Sequence, residues 1–405
     1  MTEVGRWLSI IGIGENGLAG LSPAARTLIA QASLVVGGRR HLSLIGEATR
    51  GKTLAWPSPP QGAFPAIRAH RGATVCVVAT GDPFFYGIGS LLAREIPPEE
   101  MLCLPAASCF GLAASRLGWA VQDCALVTLH GRALERIIPY LQPRARILAL
   151  SWDQTTPSRL AELLVRFGSG DARLTVCEAL GGPRERVRST AAGDFALQDI
   201  DPLNLIALEL TASPGARAIP LTPGLPDAWF EHDGQLTKQD IRAITLAALA
   251  PRRGELLWDV GAGSGSVSIE WMLACPSNRA IAIERDATRA GRIARNAASL
   301  GVPGLEVIQG PAPDALRDLP RPDAVFIGGG ATATGTIDAA WQALPSGGRL
   351  VVNGVTIETQ AVLIDRLRTT GGSLKAIQIA HADPIGGFHA MRPAMPVTQW
   401  AVSKP

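Results

Sequence analysis

The stretch Trp258–Asp259–Val260–Gly261–Ala262–Gly263–Ser264–Gly265–Ser266–Val267–Ser268–Ile269–Glu270 limits the architecture more than any other part of this chain. Leu256, Leu257 and Val260 read as a short buried strand, and Val267 with Ile269 to Leu273 opens a helix. Glycines at every second position join the two. Glycine tolerates positive φ and lets another group approach the backbone closely. A turn of this kind leaves N–H groups free at a helix N-terminus, facing whatever docks. Ala280–Ile281–Ala282–Ile283 follows as a second strand ending in Glu284, where a carboxylate can accept hydrogen bonds from two ribose hydroxyls. The pattern describes a nucleoside-type cofactor site in an α/β domain.

A dinucleotide loop needs G-x-G-x-x-G. Here the third glycine comes one residue early, and Ser266 stands where that pattern has glycine. The D-V-G-A-G-S-G form resembles motif I of class I S-adenosylmethionine (SAM) methyltransferases. The competing reading is an NAD-dependent dehydrogenase fused to a second α/β domain, and the missing glycine opposes it.

The first half carries a different set of glycine loops. Leu8–Ser9–Ile10–Ile11–Gly12–Ile13–Gly14 is an apolar strand running into glycines, followed by a helix over Ala24 to Ala32 with Pro23 in its first turn. Leu34–Val35–Val36 reads as a strand ending in Gly37–Gly38–Arg39–Arg40–His41. Thr74 to Ala79 reads as another, followed by Thr80–Gly81–Asp82–Pro83–Phe84–Phe85–Tyr86–Gly87 and a helix over Ile88 to Arg94. Strand–helix–strand alternation predicts a parallel sheet, with ligands at the carboxyl ends of its strands. Further candidate strands are Val127–Leu129, Arg146–Leu150, Leu174–Glu178 and Asn204–Leu208, and Gly181 to Arg188 reads as a turn into a basic strand whose arginines form a solvated face. Prolines and glycines crowd Thr211 to Pro226, the expected linker. Beyond it, Leu236–Thr237–Lys238–Gln239–Asp240–Ile241–Arg242 leads into a helix. Asp323–Gly330, Arg349–Thr356 and Thr398–Val402 supply later strands.

The 405 residues suffice for two or three domains, and a hydrophobic fraction of 47% supplies several cores. No apolar run of about 18 residues is present, which argues against a membrane span. Met1 to Gly14 is broken by glycines and lacks a cleavage-like site, so no signal peptide is expected. Cys76, Cys103, Cys109, Cys124, Cys177 and Cys275 form no C-x-x-C pair, which points to reduced thiols in a cytoplasm and no structural zinc. The histidines lack metal spacing, and His381 and His389 read as surface or loop residues. A net charge of +3 implies no nucleic-acid partner. Only Lys52, Lys238, Lys375 and Lys404 are lysines; the remaining basic residues are arginines, whose forks suit carboxylate-rich small molecules, although codon bias in an alanine-rich chain gives the same skew.

Gly12–Ile13–Gly14, the G-D-P-F-F-Y-G loop, Ser108 within Pro105–Gly111 and His130–Gly131–Arg132 together resemble the class III, tetrapyrrole-type SAM methyltransferases. Many members have proline after the second glycine, where this chain has Glu15. Paired with the class I loop, with L-T-K-x-x-I-R, with A-V-F-I-G-G-G and with V-V-N-G-V-T-x-E-T, the whole chain resembles the fused, decarboxylating precorrin methyltransferases of cobalamin biosynthesis. The resemblance implies a bilobal class III tetrapyrrole methylase domain over 1–212, with lobes of about 1–114 and 115–212, a linker over 213–226, and a class I Rossmann-like methyltransferase domain over 227–405. It implies two SAM sites and no metal. Gly12, Gly14, Gly81, Asp82, Pro83, Tyr86, Gly87 and Ser108 would hold the first SAM. Thr237, Gly261, Ala262, Gly263, Ser264, Gly265, Glu284 and Ala312 would hold the second, although Pro311 stands where an aspartate is common. Arg39, Arg132, Gly329 and Asn353 are the candidates for the polycarboxylate tetrapyrrole substrate. Asp82, Asn353 and His389 are candidates for proton handling, with no catalytic dyad visible. The implied reaction is C-methylation at two meso carbons with loss of CO₂ from a ring acetate. A catalytically dead, regulatory half is the alternative, and the intact glycine loops of both halves oppose it. A homo-oligomer stays open.

Overall fold

The structure, a computed structural model, describes residues 5–405. Residues 1–4, the start of the segment expected to carry no signal peptide, lie outside the described residues. The chain divides into two compact units, the first reaching to Leu134 and resuming over Gln142–Arg217, the second made of Glu135–Leu141 and Ala218–Pro405. The boundary at Arg217 falls inside the proline- and glycine-rich stretch. Glu135–Leu141, expected in the first half, belongs with the second unit.

In the first unit, β1 (Leu8–Ile13), β2 (Leu34–Gly37), β3 (Lys52–Ala55), β4 (Val75–Thr80) and β5 (Met101–Leu104) form a parallel sheet in the order β3-β2-β4-β1-β5. Its central strands are apolar throughout because both faces are covered. Leu8, Ile10, Val75 and Val77 pack into one core with Phe64 and Ile67, while Ile11, Ile13, Cys76 and Val78 pack into another with Ala25 and Ile29. The helix Pro23–Gln31 starts as its sequence requires: Ser22 caps it, accepting from the Ala25 N–H at 3.2 Å, and Pro23 occupies the first turn. The helix expected over Ile88 to Arg94 shrinks to Gly89–Leu92, because the chain before it is folded back, with the Gly89 N–H on the Pro83 carbonyl at 2.8 Å.

A second sheet in this unit joins β6 (Cys124–Thr128), β7 (Arg146–Leu150), β8 (Arg173–Glu178), β9 (Arg186–Ala191) and β10 (Asn204–Glu209) in the order β6-β7-β10-β8-β9, parallel only between β6 and β7. The basic strand β9 is largely exposed, as its arginines suggest, but it is not only a solvated face. Arg186 and Arg188 close on the fully buried Glu178 at 2.7 and 2.9 Å, and burial of that carboxylate requires such partners.

The second unit holds β11 (Leu256–Val260), β12 (Arg279–Glu284), β13 (Glu306–Gln309), β14 (Ala324–Ile327), β15 (Arg349–Gly354), β16 (Ser373–Ile377), the hairpin strands β17 (Ala380–Ile385) and β18 (Phe388–Pro393), and β19 (Val397–Ser403). The large sheet runs β13-β12-β11-β14-β15-β19-β16, with β11 to β15 parallel and β19 antiparallel to its neighbours. Strand order reverses between β11 and β14, the crevice where open α/β sheets bind ligands. The β17–β18 hairpin pairs only with itself and exposes Phe388 at 81% and Ile385 at 60%. No helix among the described residues is long and apolar enough to cross a membrane.

Candidate functional site

In the second unit the glycine loop leaves β11 at the reversal point and enters the helix Ser266–Ala274. Gly261, Gly263 and Gly265 have φ of +70°, +60° and +76°, a region that L side chains avoid. Space forbids side chains there as well. A Cβ on Gly261 would stand 2.7–2.8 Å from backbone atoms of Gly329, and one on Gly263 would stand 2.9 Å from the Gln235 carbonyl oxygen. Gly329 and the segment leading to Thr237 therefore flank the loop.

Two carboxylates organise this loop. Glu284, at the end of β12 and buried, accepts from the Gly263 N–H at 2.9 Å with Oε2 and from the Asp286 N–H at 3.0 Å with Oε1. The Glu284 carbonyl accepts from the Gly310 N–H, which brings Pro311 and Ala312 to the same strand end. Asp259 is 1% exposed; its Oδ2 accepts from the Ser268 hydroxyl at 2.7 Å and N–H at 3.1 Å, while Oδ1 has no partner. The buried Ser264 hydroxyl also lacks one. Burial pushes the Asp259 carboxyl up to about 6, the Glu284 charge adding to it against the two Ser268 bonds. A glycine cradle, free polar atoms and an acidic strand end suit a nucleoside-bearing cation such as SAM.

A pH dependence follows. Asp259 is harder to ionise in the folded than in the unfolded state, so its ionisation weakens the fold. That loss is absent below the unfolded value near ~3.9, grows as pH rises, and levels off above about 6. Asp259→Asn removes it. The second unit of the Asn variant should gain about 3 kcal/mol relative to the parent between pH ~4 and pH ~7, at roughly 1.4 kcal/mol per pH unit. Calorimetric melting of both proteins across this range checks it; parallel profiles would contradict the assignment.

Thr237 owes its place to a buried ion pair. Arg242, fully buried on the helix Gln239–Leu249, donates from Nε to Glu270 Oε1 at 2.5 Å and from Nη1 to the Thr237 carbonyl at 2.5 Å and Asp227 Oδ1 at 3.1 Å. Its Nη2 reaches the Leu225 carbonyl, and the guanidinium lies 4.8 Å from the Phe230 ring centroid. Glu270 also accepts from the N–H groups of Gly224 and Leu225 at 2.7 and 2.9 Å. Arg242 ends the L-T-K-x-x-I-R stretch, where its neighbours in sequence assign it no role. Asn353, at the end of β15, donates to Thr245 Oγ1 at 2.9 Å and accepts from Gln399 at 3.1 Å, two buried residues that the sequence did not single out. His389 lies on the exposed β18, a strand rather than a loop.

In the first unit, Gly12, Gly81 and Ser108 come together where β1 and β4 end. A Cβ on Gly12 would stand 1.9 Å from the Gly81 oxygen and 2.4 Å from the Ala106 nitrogen; one on Gly81, whose φ is +56°, would stand 3.1 Å from Ser108 Cα. Ser108 caps the helix Cys109–Leu117. Gly14 lies beside the Asn16 side chain, and Gly87 is pressed against Pro83. Asp82 Oδ1 accepts from the Phe84 N–H at 2.9 Å, so this side chain shapes its own loop. Tyr86, at φ +54°, donates to the Leu126 carbonyl and packs with Phe85 and Phe110. Arg39 is exposed at the start of the helix Arg39–Ile45, and Arg132 is exposed in the turn after β6. Among the described residues no group of three or more His, Cys, Asp or Glu side chains is placed to hold a metal ion.

Residues 8–196 match the family model described as tetrapyrrole (corrin/porphyrin) methylases, and residues 228–404 match the precorrin methyltransferase domain. A Sinorhizobium protein named precorrin-6Y C(5,15)-methyltransferase (decarboxylating) is 55% identical over 401 residues, covering 99% of this chain and 97% of the relative. A Pyrobaculum calidifontis protein named probable cobalt-precorrin-6B C(15)-methyltransferase (decarboxylating) is 35% identical over 182 residues, 44% of this chain and 93% of the relative. The solved C-terminal domain of precorrin-6Y C5,15-methyltransferase from Rhodobacter capsulatus is 48% identical, covers 46% of this chain and all of that one (100%), and aligns with a TM-score of 0.44.

Proposed function

We propose, from the premise that the chain belongs to the precorrin-6Y C(5,15)-methyltransferase (decarboxylating) family, that it methylates a precorrin at C5 and C15 and removes a ring-acetate carboxyl, in cobalamin biosynthesis. The observation that carries this reading is the near full-length match at 55% identity to a relative of that name, on a chain with a separate glycine loop in each unit. The two-part organisation, 1–212 and 227–405 joined by 213–226, gives each half its own SAM site, in a cytoplasmic enzyme that needs no metal.

SAM supplies a methyl group already activated on a sulfonium. The chain's residues therefore need to align and enclose rather than to activate. In the second half, Gly261 to Gly265 and Ala262 and Ser264 between them cradle the cofactor, Glu284 takes the ribose, Thr237 and Ala312 close the flanks, and Gly329 and Asn353 face the substrate. In the first half, Gly12, Gly14, the Gly81–Gly87 loop and Ser108 do the same work. Each methylation forms a carbon–carbon bond at a meso carbon as the sulfur–carbon bond breaks, the sulfur leaving as the neutral thioether and the macrocycle giving up a proton to solvent. Decarboxylation releases CO₂ and leaves its electron pair in the conjugated macrocycle, which takes up a proton at carbon. Asp82 is occupied within its loop and His389 sits on an exposed hairpin, so neither is favoured as proton carrier. Asn353, at the end of β15, is likewise engaged, donating to Thr245 and accepting from Gln399.

Incubating the full chain with precorrin-6Y and SAM should yield a product heavier by two CH₂ units, one for each proton replaced by methyl, and lighter by one CO₂, as read by mass spectrometry. A product with no added methyl would refute the reading. Within it, Glu284→Ala should weaken SAM binding by about 1–3 kcal/mol in calorimetry, the cost of unpaired hydrogen-bonding groups. Part of that loss comes from freeing the Gly263 N–H, and an unchanged Kd would remove Glu284 from the site.

A further inference from the structure

The residue that departs from the class III pattern, Glu15, sits in a charge cluster that no loop contact explains. It follows β1; Thr80 ends β4, and the helix Arg39–Ile45 follows β2. These three adjacent strand ends form the edge at which open α/β sheets bind ligands. The turn after β8, in the second lobe of the same unit, reaches this edge: a Cβ on Gly182 would stand 2.5 Å from the Glu15 Cβ. The Glu15 carboxylate, its side chain 10% exposed, pairs with Arg40 from the first lobe and, at 3.5 Å, with Arg184 from the second. Arg184 also pairs with Asp201, whose side chain is 8% exposed. Arg40 donates to Thr80 Oγ1 at 2.7 Å and contacts His41 Nε2 at 2.9 Å.

The arrangement is asymmetric. Both carboxylates face inward, whereas the Arg184 side chain is 60% exposed and that of Arg40 34%. Burial, with repulsion from Arg184, holds the Arg40 guanidinium below its ordinary value, and burial with the Arg40 charge pushes His41 down to about 4. The imidazole is therefore neutral near pH 7 and does not compete for anions. Both Nη atoms of Arg40 are engaged, by Glu15, Thr80 and His41, whereas Arg184, the more exposed of the two, gives one bond from each Nη to Asp201 and Glu15 and keeps further N–H donors that an incoming carboxylate can meet.

We propose that Arg184, held through Glu15 beside Arg40 of the other lobe, docks a peripheral carboxylate of the tetrapyrrole in the first unit. This rests on the tetrapyrrole reading above. Glu15 is the positioning residue: it holds the two guanidiniums at a common point.

The test measures initial rates of the full chain with precorrin-6Y, resolving by mass the methyl transfer without CO₂ loss from the transfer coupled to it. Arg184→Met should raise KM for the uncoupled transfer about tenfold with kcat unchanged, because a contact made equally in ground and transition states is lost. KM and kcat of the coupled transfer should stay as in the parent. Arg184→Lys should recover only part of the affinity, since it restores charge without the fork. Thermal melting of both variants near the parent's confirms that the exposed side chain was removed without loss of fold. An unchanged KM, a fall in kcat alone, or an equal shift in both transfers overturns the docking assignment. A parent protein that transfers no methyl overturns the tetrapyrrole reading and this assignment with it.

Discussion

Arg242→Met is expected to destabilise the second unit by about 3–5 kcal/mol, the usual consequence of leaving one member of a buried ion pair alone. Glu270, 4% exposed, would lose its guanidinium partner. The carbonyl oxygens of Leu225 and Thr237 would lose their donor in the same step. Denaturant titration gives the magnitude, and calorimetry assigns the loss to the second unit. Combining Arg242→Met with Glu270→Gln should restore part of the stability, because no buried charge remains uncompensated. A loss below about 1 kcal/mol would mean that water or a relaxed side chain already satisfies Glu270. The variant should also bind SAM more weakly in the second half, since the segment it holds passes within 2.9 Å of the Cβ position of Gly263 at the Gln235 carbonyl.

Arg242 also shows where sequence reading stops. The loop Gly261–Gly265, strands β11 and β12 and the closing Glu284 were legible because each is a local pattern: an apolar run, glycines at fixed spacing, an acid at a strand end. The same holds for β1, β2, β4, β7, β8 and β10, whose apolar runs follow from burial on both faces or in a central position. What escaped depends on partners far along the chain. Arg242 meets Glu270 across 28 residues, and Glu178 meets Arg188 across 10 and Asp201 across 23. None of these partners is marked by its own neighbours. Strands β13 and β16 lie at the edges of their sheet and lack a continuous apolar run, and β17 and β18 form an exposed hairpin that buries no face of its own. Their sequences therefore carry little period to detect. Glu15 stands out in the sequence only as a departure from the family pattern; its pairing with both Arg40 and Arg184 depends on the two lobes in place.

The two glycine loops are expected to fail separately. Gly81→Val places a branched side chain at φ +56°, where even a Cβ would meet the Ala107 oxygen at 3.0 Å and Ser108 Cα at 3.1 Å. The loop after β4 must shift, and a displacement of about 1 Å at a site that works by alignment costs on the order of 100-fold in rate. The product should lack one methyl yet already lack the carboxyl. Gly261→Val does the reverse in the second unit: its Cβ would fall 2.7–2.8 Å from the nitrogen, Cα and oxygen of Gly329, a backbone that cannot swing aside as a side chain could. Gly263→Val, at φ +60° and 2.9 Å from the Gln235 oxygen, should abolish SAM binding in that half in the same way. Both second-unit variants should stop CO₂ release together with one methylation while the other methylation continues on supplied substrate. This expectation rests on the proposal that each glycine loop positions its own methyl donor; the two loops match different family models and lie in separate compact units. If Gly81→Val stopped CO₂ release while the second loop stayed intact and substrate was supplied directly, decarboxylation would have to be reassigned to the first unit.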